Sequence, residues 1–162
     1  MSKLDSPSLE DYRALAEFRY LIRRFLRFSE ETARRAGIEP RQHQVLLAIK
    51  GLPPDREATI GTVAERMQIR PHSAVELTNR LEARGLVRRR TGDKDRRQVL
   101  LDLTPEGEDV LKGLSMTLRA ELVTLAPTLV RSLNGLLLGH GEAGPSNLPP
   151  IAPRPASGRS DA

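Results

Sequence analysis

The chain has 162 residues, no cysteine, and 26 lysines and arginines against 21 acids, for a net charge of +5. That length favours one compact domain with appendages, and the missing cysteine excludes disulfides, thiolate metal sites and cysteine redox switches. The N-terminal stretch MSKLDSPSLEDYRALAEF is charged throughout, unlike a secretory signal, and no uncharged run reaches the roughly 18 apolar residues of a membrane span, so a soluble cytoplasmic protein is expected.

Ser8 followed by Asp11 reads as a helix start. Leu15, Phe18, Ile22 and Phe25 then recur at helical spacing, with Leu21, Leu26 and Phe28 widening the stripe. The spacing predicts a helix from about Ser8 to Ala36, ending at Gly37. At 1.5 Å per residue it spans on the order of 40 Å, more than a small core needs, so part of its apolar face is expected to meet a partner chain. All five aromatic residues, Tyr12, Phe18, Tyr20, Phe25 and Phe28, lie in this one segment.

Pro40 suits the first turn of a second helix, with Val45, Leu46 and Ile49 as its buried side. GLPPDRE, 51–57, is a loop by composition. Thr59 can cap a short third helix, IGTVAERM, with Ile60, Val63, Ala64 and Met67 inward. After the link QIR, Pro71 opens a fourth helix, PHSAVELTNRLEAR, with Ala74, Leu77 and Leu81 on one side and Gly85 as its C-terminal cap.

Leu86 to Arg90 is a strand candidate, TGDKDR a turn, and Gln98 to Leu103 alternates with Val99, Leu101 and Leu103 on one face. Together they predict a β-hairpin with a polar tip. Thr104 before Pro105 is a helix start. The fifth helix is expected to break near Pro127, and the nearly uncharged piece TLVRSLNGLLL after it to be buried. From Gly139 on, 24 residues hold five prolines and four glycines with cancelling charges, a composition that predicts a disordered tail.

The charge is local. Between Arg80 and Arg97 stand Arg80, Arg84, Arg88, Arg89, Arg90, Lys94, Arg96 and Arg97 against Glu82, Asp93 and Asp95; eight minus three is the whole excess of +5. Such a patch is the footprint of a polyanion binder, or else a solvated surface. Its setting favours the first. Helix, short helix, tight link, helix and hairpin is the order of a winged helix-turn-helix, mainly α with a small β wing.

In that geometry the Pro71 helix enters the major groove of double-stranded DNA. Once Ala74, Leu77 and Leu81 are buried, Pro71, His72, Ser73, Val75, Glu76 and Asn79 are left outward. Asn79 can pair with adenine and Glu76 accept from a cytosine amino group. Arg80 and Arg84 fit a phosphate or a structural role. Lys94, Arg96 and Arg97 are candidates for the hairpin tip in the minor groove, with Arg89 and Arg90 on the shank. Asp93 and Asp95 would aim neighbouring arginines by charge-assisted hydrogen bonds; as a two-carboxylate metal site they lack a third ligand. No nucleophile–base pair, phosphate loop or metal spacing marks an enzyme, and no cofactor or metal is expected.

NRLEARGLVRR followed by DRRQVLLDLTPEG, with FLRFSE and GIEPRQHQVLLAI upstream, resembles the multiple antibiotic resistance regulator (MarR) family over about Leu15 to Leu137. The resemblance implies a homodimer. It divides the chain into an N-terminal dimerisation helix (1–37), a winged helix-turn-helix (38–104), C-terminal dimerisation helices (105–138) and a tail (139–162). It also implies pseudo-palindromic operators and release by a small aromatic or anionic effector. Asp95, Arg96 and Arg97 fall on the family's wing motif, and Pro71 to Arg80 on its recognition helix. Gly92 stands where the wing often has aspartate, and Glu76 where arginine or a small residue is usual. Without cysteine, the peroxide-sensing thiol of one branch is absent.

For an effector cleft the implied residues are Tyr20, Arg24, Phe28 and His43, with Arg24 holding an acid; the alternative is core packing for the aromatics and a surface position for His43. The expected function is a sequence-specific transcriptional repressor. Alternatives are a nonspecific or architectural nucleic-acid binder, and a winged-helix protein-interaction module.

Overall fold

The computed structural model describes residues 6–92 and 98–138. Seven elements follow in chain order: α1 (Leu9–Arg35), α2 (Pro40–Lys50), α3 (Ile60–Met67), α4 (Pro71–Ala83), β1 (Val87–Thr91), β2 (Val99–Leu103) and α5 (Pro105–Leu138). Asp93, Lys94, Asp95, Arg96 and Arg97, expected at the hairpin tip, and the Pro- and Gly-rich tail from Gly139 lie outside the described residues.

Local chemistry sets the boundaries. Ser8 and Asp11 form a reciprocal capping box at the start of α1, as their spacing predicts. The helix stops at Ala36, and Gly37 takes φ +73°, the left-handed conformation that costs glycine least. Pro40 and Pro71 occupy the first turns of α2 and α4, where the missing N–H has no intrahelical partner to lose. Thr59 Oγ1 accepts from the Thr62 amide and caps α3. The α3–α4 link turns tightly because Gln68 adopts φ +52° and the Ile69 amide returns to the Ala64 carbonyl. Gly85, at φ +69°, ends α4 and starts the hairpin.

β1 and β2 pair antiparallel, with Val87 opposite Leu103 and Thr91 opposite Val99. The Leu101 amide donates on the other side to the Ala58 carbonyl at 2.7 Å, so the loop before α3 adds a one-residue rung to the sheet. The core is built from α2, α3, α4 and the hairpin base: Val45, Leu46, Ile49, Val63, Ala64, Ala74, Leu77, Leu81, Val87 and Leu101, closed by Ala33 of α1 and Leu111 and Leu114 of α5. Leu86 and Val87 are both buried, as are Leu100 and Leu101. The strict alternation expected of β2 therefore fails: Val99 is exposed and Leu103 only half-buried. β1 packs on α4, and β2 on α2, α3 and α5, so the hairpin has no wholly wet face at its base.

α1 and α5 run antiparallel against each other, with Ala14 beside Gly135 and Arg24 paired to Glu121. α5 departs from expectation twice. It is one uninterrupted helix through Pro127, with no break. Proline removes one N–H and crowds one carbonyl, and here the flanking turns continue the helix past it. Nor is the segment after Pro127 buried in the protomer: Val130 is 53% and Leu137 79% exposed. None of the helices among the described residues is long and apolar enough to cross a membrane.

Candidate nucleic-acid interface

α4 buries Ala74, Leu77, Thr78 and Leu81 and turns its other side outward. His72, Val75, Glu76, Asn79 and Arg80 are exposed, as is Pro71, with Ser73 half-buried. Thr78 satisfies itself by donating to the Ala74 carbonyl at 2.7 Å. No side chain caps the N-terminus of α4. Its first-turn amides and the exposed Arg70 just before it therefore form an electropositive end beside His72. In the sequence Arg70 looks like part of the link between two helices; the proline after it is the signal that marks it as a helix N-cap.

The hairpin's arginines divide by strand face. Arg88 and Arg90 point to one side, where both meet Asp102 of β2, Arg90 Nε at 2.9 Å and Arg88 Nε at 3.8 Å. Arg89 points to the other, toward α4, and donates from Nη1 to Glu82 Oε2 and from Nη2 to Asn79 Oδ1, the latter at 2.6 Å. Sequence reading assigned the aiming of arginines to Asp93 and Asp95. Asp93 and Asp95 lie outside the described residues; among the described ones, Arg88 and Arg90 are paired with Asp102, and Arg89 with Glu82. The register of the hairpin, which puts Asp102 opposite Arg88, is the signal that finds the first.

Arg84 is structural. Its guanidinium donates to the Gly37 carbonyl at 2.9 Å and to Gln42 Oε1 at 3.1 Å, stapling the end of α4 to the α1–α2 link. Gln42 is itself buried and also accepts from the Glu39 amide. Arg80 lies nearby with Glu39 Oε2 at 3.7 Å. Arg34, Arg80, Arg84 and Pro40 border an open cleft of about 710 Å³ between α4 and the start of α2.

At the hairpin base, Thr104 Oγ1 donates to the Gly85 carbonyl at 2.6 Å and accepts from the Gly107 amide at 3.1 Å, while the Thr104 amide reaches the Leu86 carbonyl. Gly107 is obligatory: a Cβ there would collide with the Leu86 carbonyl. The LTPEG segment thus fuses wing and α5.

The four residues expected at an effector cleft are placed as follows. Arg24 Nη2 meets Glu121 Oε1 at 3.6 Å, with both side chains largely buried, and its Nη1 is buried without a hydrogen-bond partner among the described residues. Tyr20 is partly exposed on the same helix and Phe28 half-buried. His43 is not at the surface, the alternative position given to it above: it is 2% exposed, because the first turn of α2 faces the core, and its Nε2 has no hydrogen-bond partner among the described residues. Burial away from water disfavours the charged imidazolium and lowers its pKa. The four do not line the cleft beside Arg80.

Residues 36–98 match the family model described as MarR family. The HTH-type transcriptional repressor MdtR of Bacillus subtilis (strain 168) is 34% identical over 87 residues, 51% of this chain and 54% of MdtR; the chain thus spans about half the length of this curated relative. Among solved structures, AbsC of Streptomyces coelicolor, a MarR family transcriptional regulator, superposes with a TM-score of 0.63 at 18% identity, covering 82% of this chain and 92% of AbsC. The S. aureus MepR–DNA complex gives 0.60 at 19% identity, covering 75% and 88%. At these identities the structural likenesses establish the fold.

Proposed function

We propose that the chain is a member of the MarR family, as its match to that family model over residues 36–98 and its likeness to MdtR support, and that it is a homodimeric transcriptional repressor that reads pseudo-palindromic double-stranded DNA and is released by a small aromatic or anionic effector. The observation that carries the reading is the single surface made by the outward side of α4 and the arginine-bearing hairpin, held together by Arg89. α4 is 13 residues long, about 20 Å at 1.5 Å per residue, and fits a major groove roughly 12 Å wide. Its polar side offers His72, Ser73 and Asn79 to base edges and Val75, 38% exposed, to a thymine methyl. The uncapped helix start and Arg70 suit a phosphate. Lys94, Arg96 and Arg97, by sequence at the tip between the strands, suit the minor groove, with Asp95 aiming them.

The partner copy is supported by the apolar residues that the protomer leaves uncovered. On α5, Met116, Val123, Val130 and Leu137 recur every seven residues and are all exposed, the spacing of a helix–helix seam. On α1, Leu9, Tyr12, Leu15, Ile22 and Leu26 are exposed too. A second copy is the occupant that would cover both helices and set two recognition helices about one turn of DNA apart. For the effector, Arg24, with a buried Nη1 that has no partner among the described residues, is the group that would take a carboxylate, beside Tyr20 and Phe28.

Footprinting on the DNA upstream of the protein's own gene tests the reading. A protected inverted repeat is expected, with affinity falling steeply as salt rises because each neutralised phosphate releases counterions. Charge reversal at Arg96 and Arg97 should abolish it. Equal affinity for random DNA would point instead to an architectural binder, and no DNA binding at all to a protein-interaction module.

A further inference from the structure

Arg89 lies at the centre of β1, on the strand face opposite to Arg88 and Arg90. Its guanidinium spans two residues of α4, Glu82 through Nη1 and Asn79 through Nη2. A guanidinium carries donors only. The Asn79 atom that faces it at 2.6 Å is therefore the carboxamide oxygen, Oδ1, and the group left outward is the Nδ2 amine with its two N–H donors. Asn79 itself is exposed on the side of α4 that also carries His72, Val75 and Glu76.

This changes what Asn79 can read. Asparagine recognises adenine by accepting from the N6 amine with its oxygen while donating to N7. Here a cation already holds that oxygen, and a second amine brought to it meets the charge of the guanidinium. Guanine shows only acceptors in the major groove, N7 and O6, which match an outward pair of N–H donors. Glu82 fixes the guanidinium from behind, so the polarity does not depend on a free side chain finding its place.

We propose that Arg89 sets the hydrogen-bonding polarity of Asn79, so that the surface selects guanine over adenine at the base pair facing residue 79. Arg89 is in this sense a positioning residue, acting on DNA through Asn79. The inference rests on the DNA-reading function above, and it replaces the adenine pairing that the sequence alone suggests for Asn79.

The test selects bound duplexes from a randomised library with the full chain, then measures affinity by fluorescence anisotropy. Asn79→Ala identifies the base pair, as the position whose preference it erases. Two duplexes differing only there, guanine or adenine, are then titrated. The wild type should prefer guanine by on the order of tenfold. Arg89→Met should bring that ratio close to one or tip it to adenine; a uniform loss of affinity cancels from the ratio. Glu82→Gln, which leaves the strand intact and only loosens the guanidinium, should move the ratio the same way by less, and it decides the matter if Arg89→Met does not fold. A wild-type preference for adenine, a library in which no position responds to Asn79→Ala, or a ratio unchanged in both variants overturns the inference. A library from which no sequence is enriched overturns the DNA-reading function itself, and the inference with it.

Discussion

His43 near the start of α2 is the residue whose chemistry is most displaced from its ordinary value. Buried, with no partner for Nε2 among the described residues, it stays neutral in the fold, and its pKa lies below the usual 6.5. The unfolded chain therefore binds a proton that the folded chain resists, and stability rises with pH across the interval between the two values. Stability is fully present above about pH 6.5 and is lost as pH falls toward the lowered folded-state pKa. Thermal melts of His43→Leu from pH 7.5 to 5 should be flatter than those of the wild type, with no loss at neutral pH; parallel curves would contradict this. The buried state of His43 was not legible in the sequence, since a histidine between Gln42 and Gln44 gives no sign of which way the first turn of α2 faces. The outward set on α4 was legible, because burial of Ala74, Leu77 and Leu81 at helical spacing leaves Pro71, His72, Ser73, Val75, Glu76 and Asn79 with only one place to go.

Among elements, the hairpin and the start of α5 are joined at one hydrogen-bonded junction. Thr104 bonds forward into α5 and back to Gly85, and Gly107 lies against the Leu86 carbonyl. Gly107→Ala forces a backbone shift at a packed junction, and overpacking of this kind costs about 1–3 kcal/mol. A melting temperature lower by several degrees and weaker operator binding are expected; an unchanged melt would mean that the junction yields freely. The caps of α1 and α3, the opening prolines of α2 and α4 and the glycine after α4 could be read in advance because serine, threonine, proline and glycine act within a few residues of themselves. The continuity of α5 could not. Proline disfavours a helix only locally, and packing of α5 along α1, with Ala14 at Gly135 on one side of Pro127 and Arg24 at Glu121 on the other, holds the two halves in line. The exposure of Val130 and Leu137 is not legible for a related reason: an uncharged segment carries no signal of whether its own chain buries it.

At the scale of the whole molecule, the exposed heptad Met116, Val123, Val130 and Leu137 makes assembly measurable. Light scattering should give twice the 18.0 kDa chain mass for the wild type, and close to the single-chain mass for Val123→Glu, which buries a charge in the seam. A dimeric Val123→Glu would place the interface elsewhere. On the proposed function, the same variant should lose high-affinity operator binding, since one lobe would read only one half-site. One consequence follows from α5 being unbroken. It is 34 residues long, about 50 Å at 1.5 Å per residue, and its Pro105 end is soldered to the wing. A rigid rod of that length is a lever: tilting it by about 5° at the far end sweeps the near end through about 4 Å, more than one base step of roughly 3.4 Å. On the proposed function, a small molecule wedged far from the duplex would need only a slight angular displacement to throw the arginine-bearing hairpin out of register with its groove.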